Sequence, residues 1–188
     1  MLISSSKSIL EPNWVSLDRL RGSLLPNEIA PWVTDKGSLT KTIIHKCHGS
    51  FDVRVQNQSW SKATPTESAI LGISKGIRTM LREVELRCDD EPWIFARTLI
   101  PSINLKGGAK RLAFLKNRPL GAVLFADPNT KRLLIEVAKI DSRHDIFYKA
   151  TNNLNFIPSE LWGRRTLFVF SGKKLLVNEI FLPTLPKT

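Results

Sequence analysis

Two cysteines among 188 residues, Cys47 and Cys88, are too few for a disulfide framework, which agrees with a reducing cytoplasm. No apolar run approaches the roughly 20 residues needed to cross a bilayer. The longest, such as Leu167 to Phe170, are strand-sized, so no stable membrane insertion is expected. The first ten residues, MLISSSKSIL, carry one lysine and no uninterrupted apolar segment of signal-peptide length, which argues against export. Phosphate-binding loops are missing too: Lys106-Gly107-Gly108 lacks the Walker spacing, and no GxGxxG follows a strand. There is no GxSxG nucleophile elbow. His45-Lys46-Cys47-His48 offers metal-capable side chains, but its spacing matches no common zinc site and no second cluster completes a ligand set, so no metal is expected. His144 stands alone in a polar stretch and reads as a surface residue. Internal repeats and low-complexity segments are also missing.

What is present is a chain with 42% apolar residues, enough for one good core, and a single domain over residues 1–188 is expected. Lys and Arg exceed Asp and Glu by eleven, a balance that attracts anions of any kind: nucleic acid, a membrane surface or a small carboxylate. The positive residues are scattered in pairs, among them Lys110-Arg111, Lys131-Arg132, Arg164-Arg165 and Lys173-Lys174, and read as solvated faces. Phe and Trp fall on strand core faces and no RNP-like run occurs, so nucleic acid is not an expected partner.

Helix signals come first along the chain. Pro26-Asn27-Glu28 opens a short helix running through Trp32-Val33, and Ser38 caps another beginning at Leu39. Phe51, Val53 and Val55 alternate with polar residues as in a half-buried strand. Residues 56–76 read as a connection with one helical turn near Ala69-Ile70-Leu71. A hairpin follows, with strands Thr79 to Cys88 and Trp93 to Ile100 around a turn at Asp89-Asp90-Glu91-Pro92. Ala109 to Lys116 has helical spacing and is stopped by Pro119. Leu133, Ile135 and Val137 form another strand, residues 139–160 a polar loop, and Thr166 to Phe170 with Leu175 to Leu182 a second hairpin around Ser171-Gly172-Lys173. The expected architecture is α+β, a single antiparallel sheet with helices in its connections.

Three charged residues interrupt apolar faces. Met80, Val84, Leu86 and Cys88 share a face with Arg82, while Leu81, Glu83, Glu85 and Arg87 on the other face read as the wet side. Arg97 shares a face with Trp93, Phe95 and Leu99, and Glu179 one with Leu175, Val177 and Phe181. A guanidinium keeps its proton, so burying it requires an anion or several acceptors. One reading is a structural ion pair between Glu179 and Arg82 or Arg97. The other is a closed pocket in which an arginine grips a ligand carboxylate and Glu179 bonds a hydroxyl some way off. Only the second leaves a cavity between the charges.

The segments LREVELRCDDEPWIFARTLIP (81–101), RPLGAVLF (118–125) and LWGRRTLFVFSGKKLLVNEIFLP (161–183), with the weaker WVTDKGSLT (32–40), resemble the chorismate pyruvate-lyase family. The resemblance implies two helical flaps over a buried ligand site, and a cofactor-independent enzyme that eliminates pyruvate from chorismate to give 4-hydroxybenzoate for ubiquinone synthesis. It further implies that Arg82 grips the ring carboxylate, that the backbone amides of Leu39 and Leu120 help hold it, and that Glu179 meets the 4-hydroxyl. Arg97 would lie near the pocket and help attract the anion. A cytoplasmic monomer is the expected form. The alternative is a non-catalytic, small-carboxylate-binding effector domain like those of some bacterial transcription regulators, although the residues before the first flap lack a convincing helix-turn-helix.

Overall fold

The computed structural model describes residues 10–20 and 25–186. Among them, seven strands form one antiparallel sheet: β1 (Val15–Ser16), β2 (Phe51–Lys62), β3 (Arg78–Cys88), β4 (Glu91–Pro101), β5 (Lys131–Asp141), β6 (Glu160–Phe170) and β7 (Lys173–Phe181), in the order β1-β5-β6-β7-β4-β3-β2. The short helices are α1 (Ala30–Thr34), α2 (Leu39–Lys46), α3 (Pro65–Leu71), α4 (Leu120–Leu124) and α5 (Asp145–Thr151), with 3-10 turns at Leu17–Arg19, Ser102–Asn104 and Gly107–Phe114. This is the expected α+β arrangement.

Both hairpins turn through left-handed residues, Asp89 (φ 49°) with Asp90 (φ 66°) and Ser171 (φ 49°) with Gly172 (φ 72°), which match the twist of two-residue loops. The first turn is therefore tighter than expected, and Glu91 and Pro92 already belong to β4. Residues 56–76 are more ordered than a connection. β2 continues to Lys62 through an irregularity between Val55 and Asn57, and a complete capping box, Thr64 with Glu67, starts α3. Residues 139–160 are likewise not a loop throughout, since β5 runs to Asp141 and α5 follows. His144, expected on the surface, is buried and accepts a 3.1 Å hydrogen bond on Nδ1 from the Asp141 amide ahead of α5. The helical spacing over 109–116 resolves as the 3-10 segment Gly107–Phe114.

Each face of the sheet is covered. On one, α1 and α2 pack over Val84, Leu86, Ile94 and Phe181, while the Gly107–Phe114 segment and α4 pack over Met80, Ile100, Phe168 and Val177. On the other, α5 covers Phe95, Ile140 and Ile180, and α3 covers Leu81, Leu99 and Leu176. Glu83 and Glu85, expected on a wet side, are buried on this second face. Their carboxylates accept from Asn57 Nδ2 at 3.0 Å, and from Gln56 Nε2 at 2.6 Å and Asn153 Nδ2 at 2.9 Å. Acids that look solvated in a strand pattern can thus be interior wherever amide donors reach them.

Cys47 at the end of α2 and Cys88 at the end of β3 form a disulfide, Cα to Cα 5.7 Å. The low cysteine count pointed away from this; a count says nothing about whether two distant residues meet. The bond ties α2 to the sheet.

Candidate functional site

The first face of the sheet is apolar at both ends and charged in the middle. Register explains how. Arg82 on β3 stands opposite Thr98 on β4, which stands opposite Val177 on β7; one pleat along, Val84, Ala96 and Glu179 form the next row, continued by Arg164 on β6. Arg82 and Glu179 are therefore two strand spacings apart, roughly 10 Å between strand axes. The intervening strand presents only Ala96 and Thr98, and small side chains there leave the floor low. Above it lies a cavity roofed by Leu39, Thr40, Leu120, Gly121 and Leu124.

Arg82 is 2% exposed, and its Nη2 donates to the carbonyls of Lys116 (2.8 Å) and Arg118 (3.2 Å), just ahead of α4. Its Nε is buried without a partner. Among the described residues no acid offsets the charge, and burial pushes the pKa down to about 10. A guanidinium still holds its proton at neutral pH, so the desolvation cost stays in the fold until an anion arrives. The ion-pair reading thus fails for Arg82.

Glu179 is paired, but with a residue that pattern reading left on the surface. Arg164, 1% exposed, donates from Nε to Glu179 Oε2 at 2.7 Å, and its Nη1 meets the carbonyls of Trp32, Val33 and Asp35, the last at 2.6 Å. Arg164 thereby fixes the lead-in to α2 and orients the acid. The signal was available: Trp162, Arg164, Thr166, Phe168 and Phe170 alternate as Met80, Arg82 and Val84 do. Arg132, likewise taken as a solvated pair with Lys131, also lines the cavity. An irregularity between Arg132 and Leu134 leaves Leu133 outward and turns Arg132, half-buried, toward the cavity. Arg132 donates to the carbonyls of Lys36 (2.6 Å) and Gly37 (3.2 Å), its Nε is buried and unpartnered, and its pKa is lowered, first by burial and then by the charge of Arg164.

Leu39 and Leu120 are the first residues of α2 and α4, where backbone N–H groups have no partner inside the helix. Ser38 Oγ caps one such group, accepting from Lys41 N at 3.4 Å, whereas Pro119 supplies no side-chain cap to α4. The two helices approach closely because residue 121 is glycine: a Cβ there would lie 2.6 Å from Thr40 Oγ1.

Arg97 does not join this cavity. It lies on the opposite face, held by Glu67 at 3.1 Å and Glu83 at 3.5 Å, beside Arg165 and Asn178 in a separate polar pocket. A strand's side chains alternate, so Ala96 and Thr98 facing the cavity put Arg97 on the other side. Arg165, also expected to be solvated, is buried there against Glu136 at 2.6 Å. Among the described residues, no group of three or more His, Cys, Asp or Glu side chains is placed to hold a metal ion. Nor is any helix among the described residues long and apolar enough to cross a membrane.

The fold is shared with solved structures of low sequence identity. PhnF from Mycobacterium smegmatis superposes with a TM-score of 0.56 at 15% identity, covering 82% of this chain and 68% of that one. Its effector domain gives a TM-score of 0.53 at 16% identity, covering 81% of this chain and 93% of that one. Identities this low establish common architecture alone. Sequence relatives are much nearer. A probable chorismate pyruvate-lyase of Azoarcus sp. (strain BH72) is 41% identical over 161 residues, 84% of this chain and 85% of the relative. That of Methylococcus capsulatus (strain ATCC 33009 / NCIMB 11132 / Bath) is 40% identical over 152 residues, 81% of this chain and 93% of the relative. The family model described as chorismate lyase matches residues 11–187, and with both hairpins and the helix-roofed cavity inside that span, the chain belongs to the chorismate lyase family.

Proposed function

We propose that this protein is a chorismate pyruvate-lyase, which breaks the bond between the ring and the enolpyruvyl oxygen of chorismate and releases pyruvate and 4-hydroxybenzoate, an early step of ubiquinone biosynthesis. The observation that carries the reading is an unpaired, buried Arg82 two strands from a hydrogen-bonding acid, with a low floor between them. A ring carrying a carboxylate at one end and a hydroxyl at the other suits that arrangement.

In this reading Arg82 and the backbone amides of Leu39 and Leu120 bind the ring carboxylate, and Glu179, oriented by Arg164, accepts a hydrogen bond from the 4-hydroxyl. Loss of the enolpyruvyl group with the C4 proton makes the ring aromatic; the proton ends on the departing group, which becomes pyruvate. The protein's share is positioning and exclusion of water, and the reaction needs no metal or redox cofactor. α2 and α4 act as flaps, and because the product retains both polar ends, their opening sets the rate of release. The enzyme works as a monomer of one domain, with no nucleic-acid partner.

The competing reading is an effector domain that binds a small carboxylate without chemistry. One experiment separates them: purified protein incubated with chorismate and no added metal, with pyruvate and 4-hydroxybenzoate followed together. Equimolar formation of both above the spontaneous rate is expected. Binding of 4-hydroxybenzoate without turnover would favour the effector reading.

A further inference from the structure

The cavity holds more positive charge than 4-hydroxybenzoate can use. Its lining carries three arginines, Arg82, Arg132 and Arg164, against one acid, Glu179. Asp35 lies behind them, occupied by the Gly37 amide at 2.6 Å and the Thr42 hydroxyl at 2.8 Å. By formal charge the lining is positive by two, which suits a dianion. Chorismate carries two carboxylates, on the ring and on the enolpyruvyl group, whereas the aromatic product keeps only the first. Arg82 accounts for one charge in the reading above, and the second needs a partner.

Arg164 is the poorer candidate, because its charge is already matched by Glu179. Its Nε is committed to Glu179 and its Nη1 to three carbonyls. Arg132 is different: its two terminal nitrogens donate to Lys36 and Gly37, yet its Nε is buried and unpartnered. Its guanidinium is held in place 5.2 Å from the Phe168 ring centroid and 5.5 Å from that of Phe125, both of which line the cavity. It also lies within electrostatic reach of Glu179. With the ring carboxylate at Arg82 and the 4-hydroxyl at Glu179, the axis of the ring is fixed. The enolpyruvyl ether sits on the carbon next to the hydroxyl, so its carboxylate projects from the Glu179 end, away from Arg82.

We propose that Arg132 binds the enolpyruvyl carboxylate of chorismate through its free Nε–H, and so is the residue by which the site distinguishes substrate from product. This assignment rests on the chorismate lyase reading of the cavity. Arg132 neutralises the charge that travels with the leaving group as the carbon–oxygen bond opens. Once pyruvate departs, Arg132 again faces an empty anion position, and the ring product is held by the Arg82 and Glu179 contacts alone.

The test compares two ligands on one substitution. Arg132→Gln should lower kcat/KM for chorismate by about 30-fold or more, as removal of one partner of a buried charge pair does, while the inhibition constant of 4-hydroxybenzoate changes less than threefold, roughly the scatter of a neutral contact. Equal losses for both ligands would overturn the assignment, because they would mean that Arg132 acts only by holding Lys36 and Gly37. No loss for either would overturn it as well. A second measurement does not depend on the variant folding: wild-type enzyme should bind chorismate methylated on the enolpyruvyl carboxylate at least about 30-fold more weakly than chorismate. Equal binding of ester and acid would overturn the assignment. Wild-type protein that forms no product from chorismate refutes the reading of the site itself, whereas wild-type turnover with an unaffected Arg132→Gln refutes only the role of Arg132.

Discussion

Replacing Arg82 by methionine separates a residue kept for binding from one kept for stability. In the ligand-free protein Arg82 makes two hydrogen bonds, to Lys116 O and Arg118 O, each worth roughly 1.5–3 kcal/mol for a charged donor. Against this stands the cost of holding the guanidinium in the fold, on the order of 3 kcal/mol for a pKa pushed from 12.5 to about 10. The cost offsets half or more of the gain, so Arg82→Met should leave unfolding free energy within about 3 kcal/mol of wild type. Binding should respond differently. Losing a desolvated charge pair costs about 2–5 kcal/mol, or between about 30-fold and 4,000-fold in the Kd of 4-hydroxybenzoate. At a ligand concentration 100 times the wild-type Kd, wild type gains about 2.7 kcal/mol, while a variant weakened 30-fold gains roughly 0.9. For a chain of this length that is a Tm rise of about 5–11 °C in wild type and no more than about 4 °C in the variant. Thermal unfolding with and without ligand, checked by calorimetric titration, reads both numbers. An undiminished ligand shift in Arg82→Met would refute the clamp, and a ligand-free variant destabilised by more than about 4 kcal/mol would make Arg82 structural.

Other perturbations sort the remaining groups. Arg97→Met should leave the affinity for 4-hydroxybenzoate unchanged yet destabilise by about 3–5 kcal/mol, because Glu67 and Glu83 lose their buried partner; unfolding and titration on one sample check it. Glu179→Gln should stop pyruvate release and also lower Tm, since Arg164 keeps a buried charge with its 2.7 Å partner gone; full activity would remove the acid from the mechanism. Gly121→Ala should force α4 away from Thr40 and speed dissociation of 4-hydroxybenzoate in stopped-flow chase, with an unchanged off-rate contradicting the tight roof. The Cys47–Cys88 bond closes a separation of 41 residues, so reductant should cost about 2–4 kcal/mol in wild type and nothing in Cys88→Ser.

The hairpins, the α+β class and the Arg82 anomaly were legible in the sequence because each rests on strand alternation, which is local. The same rule, applied to β6, would have exposed Arg164. Arg132 was harder to find, since the irregularity after it reverses the alternation that Leu133, Ile135 and Val137 suggest. Arg97 was misplaced for a related reason: its apolar neighbours Phe95 and Leu99 do mark a buried face, but periodicity cannot say which of two buried faces holds the ligand. Glu83 and Glu85 looked solvated because their amide donors, Asn57, Gln56 and Asn153, come from distant segments. Thr64-Pro65-Thr66-Glu67 was a readable helix start that a polar composition obscured.

A crystal structure with 4-hydroxybenzoate bound tests the central claim most directly. The ring should lie over Ala96 and Thr98, its carboxylate on Arg82 and the amides of Leu39 and Leu120, and its hydroxyl on Glu179. A product molecule bound outside this cavity, or bound inside it with the carboxylate turned away from Arg82, would contradict the account.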